Sequence, residues 1–166
     1  MELNWLKPIK MLISDVDGVM TNGQIYLDSN NQWKRIFSTY DGVGLKLLME
    51  KGYQVGIITG GRSDDVKTRM EFLGVHHFYD GASDKLPCYL DILKKTGLQD
   101  HEIVYIGDEI YDVPILERVG IGVTVPNAME EAKQKAKYTT RVAGGDGAVR
   151  EICNWILKNG YYSRKS

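Results

Sequence analysis

Cysteine is scarce in this chain: of 166 residues only Cys88 and Cys153 carry thiols, far apart and outside any C-x-x-C spacing. That excludes a disulfide framework, and it suits a reducing compartment, so both are expected as small buried hydrophobes in a cytoplasmic protein. Histidine is almost as sparse. His76, His77 and His101 have no cysteine or carboxylate at ligand spacing, so no zinc site is expected from them. An excess of charge of either sign is missing too. The 21 basic and 22 acidic residues leave a formal charge of −1, which excludes the broad basic footprint of a nucleic-acid partner. No apolar run is long enough to span a membrane, and no signal peptide opens the chain. Repeats and low-complexity tracts are absent. A length of 166 residues allows one ordinary domain with a real core, spanning 1–166, and leaves little room for a second.

What the chain does have is carboxylate, placed where loops begin. Met11 to Ile13 reads as a buried strand, and it breaks into a turn at Asp15-Val16-Asp17-Gly18. Two carboxylates one residue apart thus sit where a strand empties into a loop, the side of an open α/β sheet on which ligands bind. Ionised groups so close together need a cation or a shifted pKa. A second apolar run, Ile103 to Ile106, ends in Gly107 and then Asp108, Glu109 and Asp112. Side by side, the two strand ends would make a cage of oxygens. Hard oxygen ligands without a Cys or His cluster suit Mg²⁺, which keeps several waters and works beside phosphate. Between them another strand ends in Thr59-Gly60-Gly61-Arg62, and Lys85 opens a helix. Hydroxyl, backbone N–H and ammonium are the donors that a phosphoryl group needs, which makes Thr59, Gly60 and Lys85 candidate phosphate-binding residues.

Strand-like runs alternate with amphipathic stretches along the chain. The strands are expected at Met11 to Ser14, Gln54 to Thr59, His76 to Tyr79, Ile103 to Ile106 and Ile121 to Val125. Helices are expected at Asp41 to Lys51, Ser63 to Leu73, Lys85 to Thr96, Asp112 to Arg118, Ala128 to Lys137 and Gly147 to Lys158, the first three each stopped by a glycine just beyond. Such alternation implies an α/β fold, a Rossmann-like parallel sheet with helices on both faces. From Gly23 to Thr39 the period switches to two around a polar turn, which reads as a β-hairpin flap over the acidic loop. A lone hairpin carrying Ile25, Tyr26, Leu27, Trp33, Ile36 and Phe37 is marginal. It either packs against another copy of the chain or folds back on its own domain. Trp5 and Trp155 read as packing residues near the chain ends. Gly144, Gly145 and Gly147 lack the following Lys-Ser/Thr of a nucleotide loop, and read as letting the backbone pass close to a neighbouring chain, with Arg150 available to an anionic group.

Asp-x-Asp-Gly-Val-x-Thr from Asp15, then Thr59-Gly60 after a strand, then Lys85, then Gly107-Asp108-x-x-x-Asp112, resembles the four ordered motifs of the haloacid dehalogenase superfamily. Phe37-Ser-Thr-Tyr-Asp41-Gly42-Val-Gly44, Asp84-Lys85-Leu86 and Gly144-Gly145-Asp146-Gly147-Ala148-Val149-Arg150-Glu151 resemble its capless group of 3-deoxy-D-manno-octulosonate 8-phosphate and sialic-acid-type 9-phosphate phosphatases. The likeness covers nearly the whole chain. It implies a capless, Mg²⁺-dependent sugar-phosphate phosphatase of lipopolysaccharide precursor synthesis. Asp15 would be the nucleophile that becomes an aspartyl-phosphate, and Asp17 the general acid and then base. Asp15, the backbone carbonyl of Asp17 and Asp108 would hold the metal, with Glu109 and Asp112 standing one layer behind. The resemblance further implies a homotetramer in which the flap joins an intersubunit β-barrel and a neighbour helps to close each site. The alternatives are a nononate or N-acylneuraminate 9-phosphate substrate and, in a different class, a non-catalytic oligomerisation domain. Retention of Asp15, Asp17, Thr59, Lys85 and Asp108 argues against the last.

Two positions depart from the family pattern. Glu109 stands where a second aspartate is usual, and Gly61 stands where the octulosonate phosphatases usually carry Arg and the nononate enzymes often Glu. Arg62, one position on, either supplies the fork for a substrate carboxylate or faces solvent.

Overall fold

The computed structural model describes residues 8–159, so Trp5 lies outside the described residues. Strand β1 spans Met11–Ser14, and after it a hairpin pairs β2 (Tyr26–Leu27) with β3 (Trp33–Lys34). Helices and strands then alternate: α1 (Thr39–Glu50), β4 (Gln54–Ile58), α2 (Asp64–Leu73), β5 (His77–Tyr79), α3 (Leu86–Thr96), β6 (Ile103–Ile106), α4 (Val113–Leu116), β7 (Ile121–Thr124), α5 (Glu130–Lys135), β8 (Tyr138–Thr139) and α6 (Ala148–Asn159).

Strand β1 is buried along all four residues, as a strand without polar alternation must be when helices cover both faces of its sheet. It pairs in parallel with β4 on one side and β6 on the other, Ile13 standing opposite Gly56 and Tyr105. The complete order is β5-β4-β1-β6-β7-β8, parallel throughout. The chain builds outward from β1 to β5 and then returns to lay β6 against the other side of β1. That reversal opens a crevice beyond the carboxyl ends of β1 and β6, the place where such sheets bind ligands. The core is continuous from β1 through β4, β6 and β7 into the helices, with Tyr89, Tyr105 and Met70 among its largest buried side chains. Trp155 is partly buried against it. Cys153 is buried, Cys88 is half-buried, and both are free thiols. His76 Nδ1 accepts from the Val55 N–H (3.0 Å) and His77 Nε2 lies 3.1 Å from Gln54 Oε1, so both rings serve the sheet edge.

Three expectations change in detail. The helix expected over Asp112 to Arg118 is a 3₁₀ turn, Ile110–Asp112, running into the single turn of α4. The Asp112 carboxylate there accepts from the Asp108 and Glu109 N–H groups (both 3.0 Å), tightening the entry. The helix expected over Ala128 to Lys137 contracts to α5 because Met129 and Ala136 are extended at its two ends. Strand β8 was not expected, since two residues carry no readable period.

The flap is paired over only two residues per strand, Tyr26 with Lys34 and Leu27 with Trp33. Asp28 builds its tip, its Oδ1 accepting from the Asn30 and Gln32 N–H groups, while Asn31 takes a positive φ of 57°. Ile25, Tyr26, Leu27, Trp33 and Ile36 are each about half or more exposed.

Candidate active site

The end of β1 delivers Asp15 into the crevice. Its N–H still bonds the Ile106 carbonyl (2.9 Å), after which the chain coils so that Val16 O accepts from Met20 N (2.9 Å). Across the crevice Asp108 follows β6. A Cβ on Gly18, whose φ is +85°, would stand 1.9 Å from Asp108 Oδ2, so only glycine lets the two loops come this close. The loop is braced from behind. Asn127 Nδ2 donates to Gly18 O (2.9 Å), and its Oδ1 accepts from Gly144 N (2.7 Å). A Cβ at Gly144 would meet Gly18 O at 1.8 Å. Gly144 and Gly145 thus make a close approach to this chain's own acidic loop.

Lys85 is the N-cap residue of α3, where an ammonium cannot accept from the free N–H groups. Its side chain enters the site instead, 3.0 Å from Asp15 Oδ1 and 2.6 Å from Asp112 Oδ1, and is almost fully buried. Tyr105 OH also donates to Asp112 Oδ1, and Asp112 Oδ2 takes the two backbone N–H groups already described. Burial pushes the Asp15 carboxyl well above the usual carboxylate range; Asp112 adds to this and Lys85 opposes it. Burial, then Asp112, lifts Asp108 to about 6. Burial alone would lower Lys85, but Asp15 and Asp112 outweigh it and hold the ammonium above its ordinary value.

Asp15, Asp108 and Asp112 offer carboxylate oxygens all within 4.8 Å of one another. Asp112 is already saturated by four donors, whereas Asp108 Oδ1 is buried with no hydrogen-bond partner among the described residues. An orphaned carboxylate oxygen beside a second buried carboxylate is what a hard divalent cation would satisfy, and this all-oxygen set fits Mg²⁺.

The remaining candidates separate into those in the cleft and those beside it. Asp15, Asp17, Thr59, Gly60, Lys85, Asp108 and Glu109 all line one cleft of about 300 Å³. The Glu109 side chain accepts from Ile110 N (2.7 Å), capping its own turn. Arg62 is exposed and pairs with Asp80 at 3.5 Å, outside the lining of the cleft. Arg150 donates through Nε to Asn154 Oδ1 (2.8 Å) and lines a separate cavity by α6. Asp112 lies beneath Lys85, fully buried.

Sequence reasoning missed Arg35. Its Nε donates to Asp17 Oδ1 and its Nη2 to Asp17 Oδ2 (3.1 Å), so the flap supplies a two-point partner for this carboxylate from within the same chain. The signal was available: an acidic pair asking for a cation, followed at once by a hairpin bearing Lys34-Arg35. Asn127 left no such trace.

A model of the haloacid dehalogenase-like hydrolases matches residues 77–152. The 3-deoxy-D-manno-octulosonate 8-phosphate phosphatase KdsC of Escherichia coli K12 is 40% identical over 149 residues, covering 90% of this chain and 79% of the relative. The Yersinia pestis phosphatase of the same name superimposes with a TM-score of 0.87 at 41% identity, covering 90% of this chain and 81% of the other. The Moraxella catarrhalis phosphatase, solved with a magnesium ion, a phosphate ion and a KDO molecule, gives 0.87 at 39% identity over 90% and 86%.

Proposed function

This chain belongs to the 3-deoxy-D-manno-octulosonate 8-phosphate phosphatase family of haloacid dehalogenase-like hydrolases, and we propose that it hydrolyses that ester to the free keto-sugar acid and phosphate. It is a Mg²⁺-dependent phosphatase. The observation that carries the reading is the cluster at the ends of β1 and β6: the buried Asp15 and the half-buried Asp108, whose Oδ1 has no partner among the described residues, beside a buried ammonium.

In this reading Asp15 Oδ attacks phosphorus and the ester oxygen leaves, taking a proton from Asp17. Water then attacks the aspartyl-phosphate, Asp17 accepts its proton, and phosphate departs with Asp15 restored. The Asp15 carboxylate, the Asp17 backbone carbonyl and Asp108 would hold Mg²⁺, which would supply positive charge against the repulsion between carboxylate and phosphate dianion. Thr59, the Gly60 N–H and Lys85 hold the transferring oxygens. Asp112 and Tyr105 fix where Lys85 points. Relatives of the fold that cleave carbon–halogen bonds need no leaving-group proton, so an acid at Asp17 supports phosphate ester cleavage.

The exposed apolar flap supports a homotetramer in which flaps of several copies pack together and wall the cleft. The free thiols support a cytoplasmic setting, and among the described residues no helix is long and apolar enough to cross a membrane. The test is phosphate release across the octulosonate 8-phosphate, nononate 9-phosphate and N-acylneuraminate 9-phosphate with Mg²⁺. The first should give the highest kcat/KM, and preference for a 9-phosphate would overturn the assignment.

A further inference from the structure

We propose that Arg35 is a positioning residue for Asp17, a guanidinium carried by the flap that fixes the plane and reach of the carboxyl group exchanging protons with the leaving group. The inference rests on the acid role given to Asp17 above. Arg35 is nearly buried, with its side chain 9% exposed, while Asp17 retains an open face toward the cleft at 36%. The two-point fork defines a plane, because Nε and Nη2 address both carboxylate oxygens at once and rotation about the Asp17 Cβ–Cγ bond breaks one contact or the other. The guanidinium is itself pinned. Nη1 donates to Ser63 Oγ (2.9 Å) and Asp65 Oδ1 (3.3 Å), and the Arg35 N–H donates to Asp65 Oδ2 (2.8 Å). Asp65 belongs to the first turn of α2, so the chain of contacts runs from a rigid helix through Arg35 to Asp17.

Gly61 makes room for this arrangement. A Cβ there would stand 3.1 Å from Arg35 Nη2 and 3.3 Å from Asp17 Oδ2, a tight contact from which both groups would have to yield slightly. The residue that departs from the family pattern and the arginine that grips Asp17 are thus two halves of one packing solution. A direct contact from Arg35 to a substrate carboxylate fits less well. Four of its five N–H groups are engaged, and it stands outside the lining of the cleft.

The test uses the full-length Mg²⁺ enzyme with an alkyl phosphate and an aryl phosphate, neither bearing a carboxylate. Arg35→Ala should lower kcat/KM, which reports the transfer to Asp15 and not the later water step that both esters share, by about 10- to 100-fold on the alkyl ester, whose oxygen leaves only with a proton. On the aryl ester, which leaves unprotonated, the loss should stay within about threefold, and Arg35→Lys should recover part of the alkyl rate. Added to Asp17→Asn, Arg35→Ala should cause no further loss on the alkyl ester. Equal losses on both esters would make Arg35 a structural anchor of the flap and overturn the proposal, as would an additive loss in the Asp17→Asn background. Lysine rescue keeps the test meaningful if the alanine variant folds poorly. Because neither ester is the sugar, a wrong sugar assignment fails the substrate panel and leaves this comparison standing.

Discussion

The cleft and the flap are built on opposite physical terms. At the ends of β1 and β6, charge is concentrated among packed elements: Lys85 bridges Asp15 and Asp112 at short range, and Asp108 Oδ1 is buried with no partner among the described residues. The flap is held by two residue pairs in all, exposes its apolar side chains and is tied back to its domain through Arg35. The first region crowds like charges among packed elements. The second leaves apolar surface open to solvent. Rigid strands thus carry the reacting groups, and the element free to pack elsewhere reaches the chemistry through one side chain.

The largest expected effect is on the cleft. Asp15→Asn removes the attacking oxygen while preserving volume, and should lower kcat on any phosphate ester by at least about 1000-fold with the fold unchanged by circular dichroism. Retained turnover would dissociate the buried charge cluster from the chemistry.

Next comes the orphaned oxygen. Burial raises Asp108 to about 6, so at neutral pH its ionised form costs stability in the metal-free protein. Asp108→Asn should then raise the metal-free unfolding midpoint by a few degrees, corresponding to about 1–2 kcal/mol. The same change should abolish the upward shift that Mg²⁺ gives the wild type and remove most activity. A variant still stabilised by Mg²⁺ would place the ion elsewhere.

Much of this contrast was legible in the sequence. Unbroken apolar runs ending in Asp15 and Asp108 identified the central strands, because strands buried on both faces leave no other pattern. Lys85 was legible as a cation at a helix start, and Glu109 and Asp112 as parts of the acidic turn. The elements that blurred were those too short to carry a period, such as β8, α4 and the paired core of the flap. Arg35 and Asn127 were not read because their partners lie 18 and 109 positions away, and pairing at that distance is fixed by tertiary packing rather than local pattern. Arg62 lies exposed beside Asp80, the solvent-facing one of its two readings, and Gly144 packs on the Gly18 loop 126 positions away, a contact that no local pattern announces.

The flap can be broken separately from the cleft. Trp33 and Ile36 are exposed at 55% and 75%, whereas Phe37 packs against the core, so Trp33→Ser with Ile36→Ser removes apolar surface without hollowing the domain. Sedimentation should show weakened assembly, and turnover of the keto-sugar acid phosphate should fall about tenfold while a small aryl phosphate is nearly unaffected. Mixing this variant with Asp15→Asn should restore sugar turnover above either parent, since an intact flap then stands beside an intact nucleophile. A flap variant that stays assembled and fully active on the sugar would assign the apolar surface no role.

The smallest effect compares two desolvated carboxylates, the half-buried Asp108 and the buried Asp41, at either end of the contrast. Asp41, just after the flap in the first turn of α1, is pushed up to about 6, foremost by burial, with the Arg150 N–H bond to its Oδ1 opposing (2.8 Å). Like Asp108 it has one buried oxygen without a partner among the described residues, but it lies outside the cluster of Asp15, Asp108 and Asp112. A folded value raised above 3.8 gives stability that is fully present below about pH 4 and is lost as pH rises through about 6, amounting to at most about 3 kcal/mol. Mg²⁺ should remove this slope at Asp108, because the ion favours the ionised form, and leave it at Asp41. Urea unfolding of the Mg²⁺-loaded protein between pH 4.5 and 7 should therefore still show stability falling as pH rises, and Asp41→Asn should flatten that fall. The readout is the slope, since an amide at this site buries new donors and shifts the absolute stability by a comparable amount. Identical slopes in wild type and variant would mean that Asp41 is ionised without penalty, and the likeness drawn between the two carboxylates would fail.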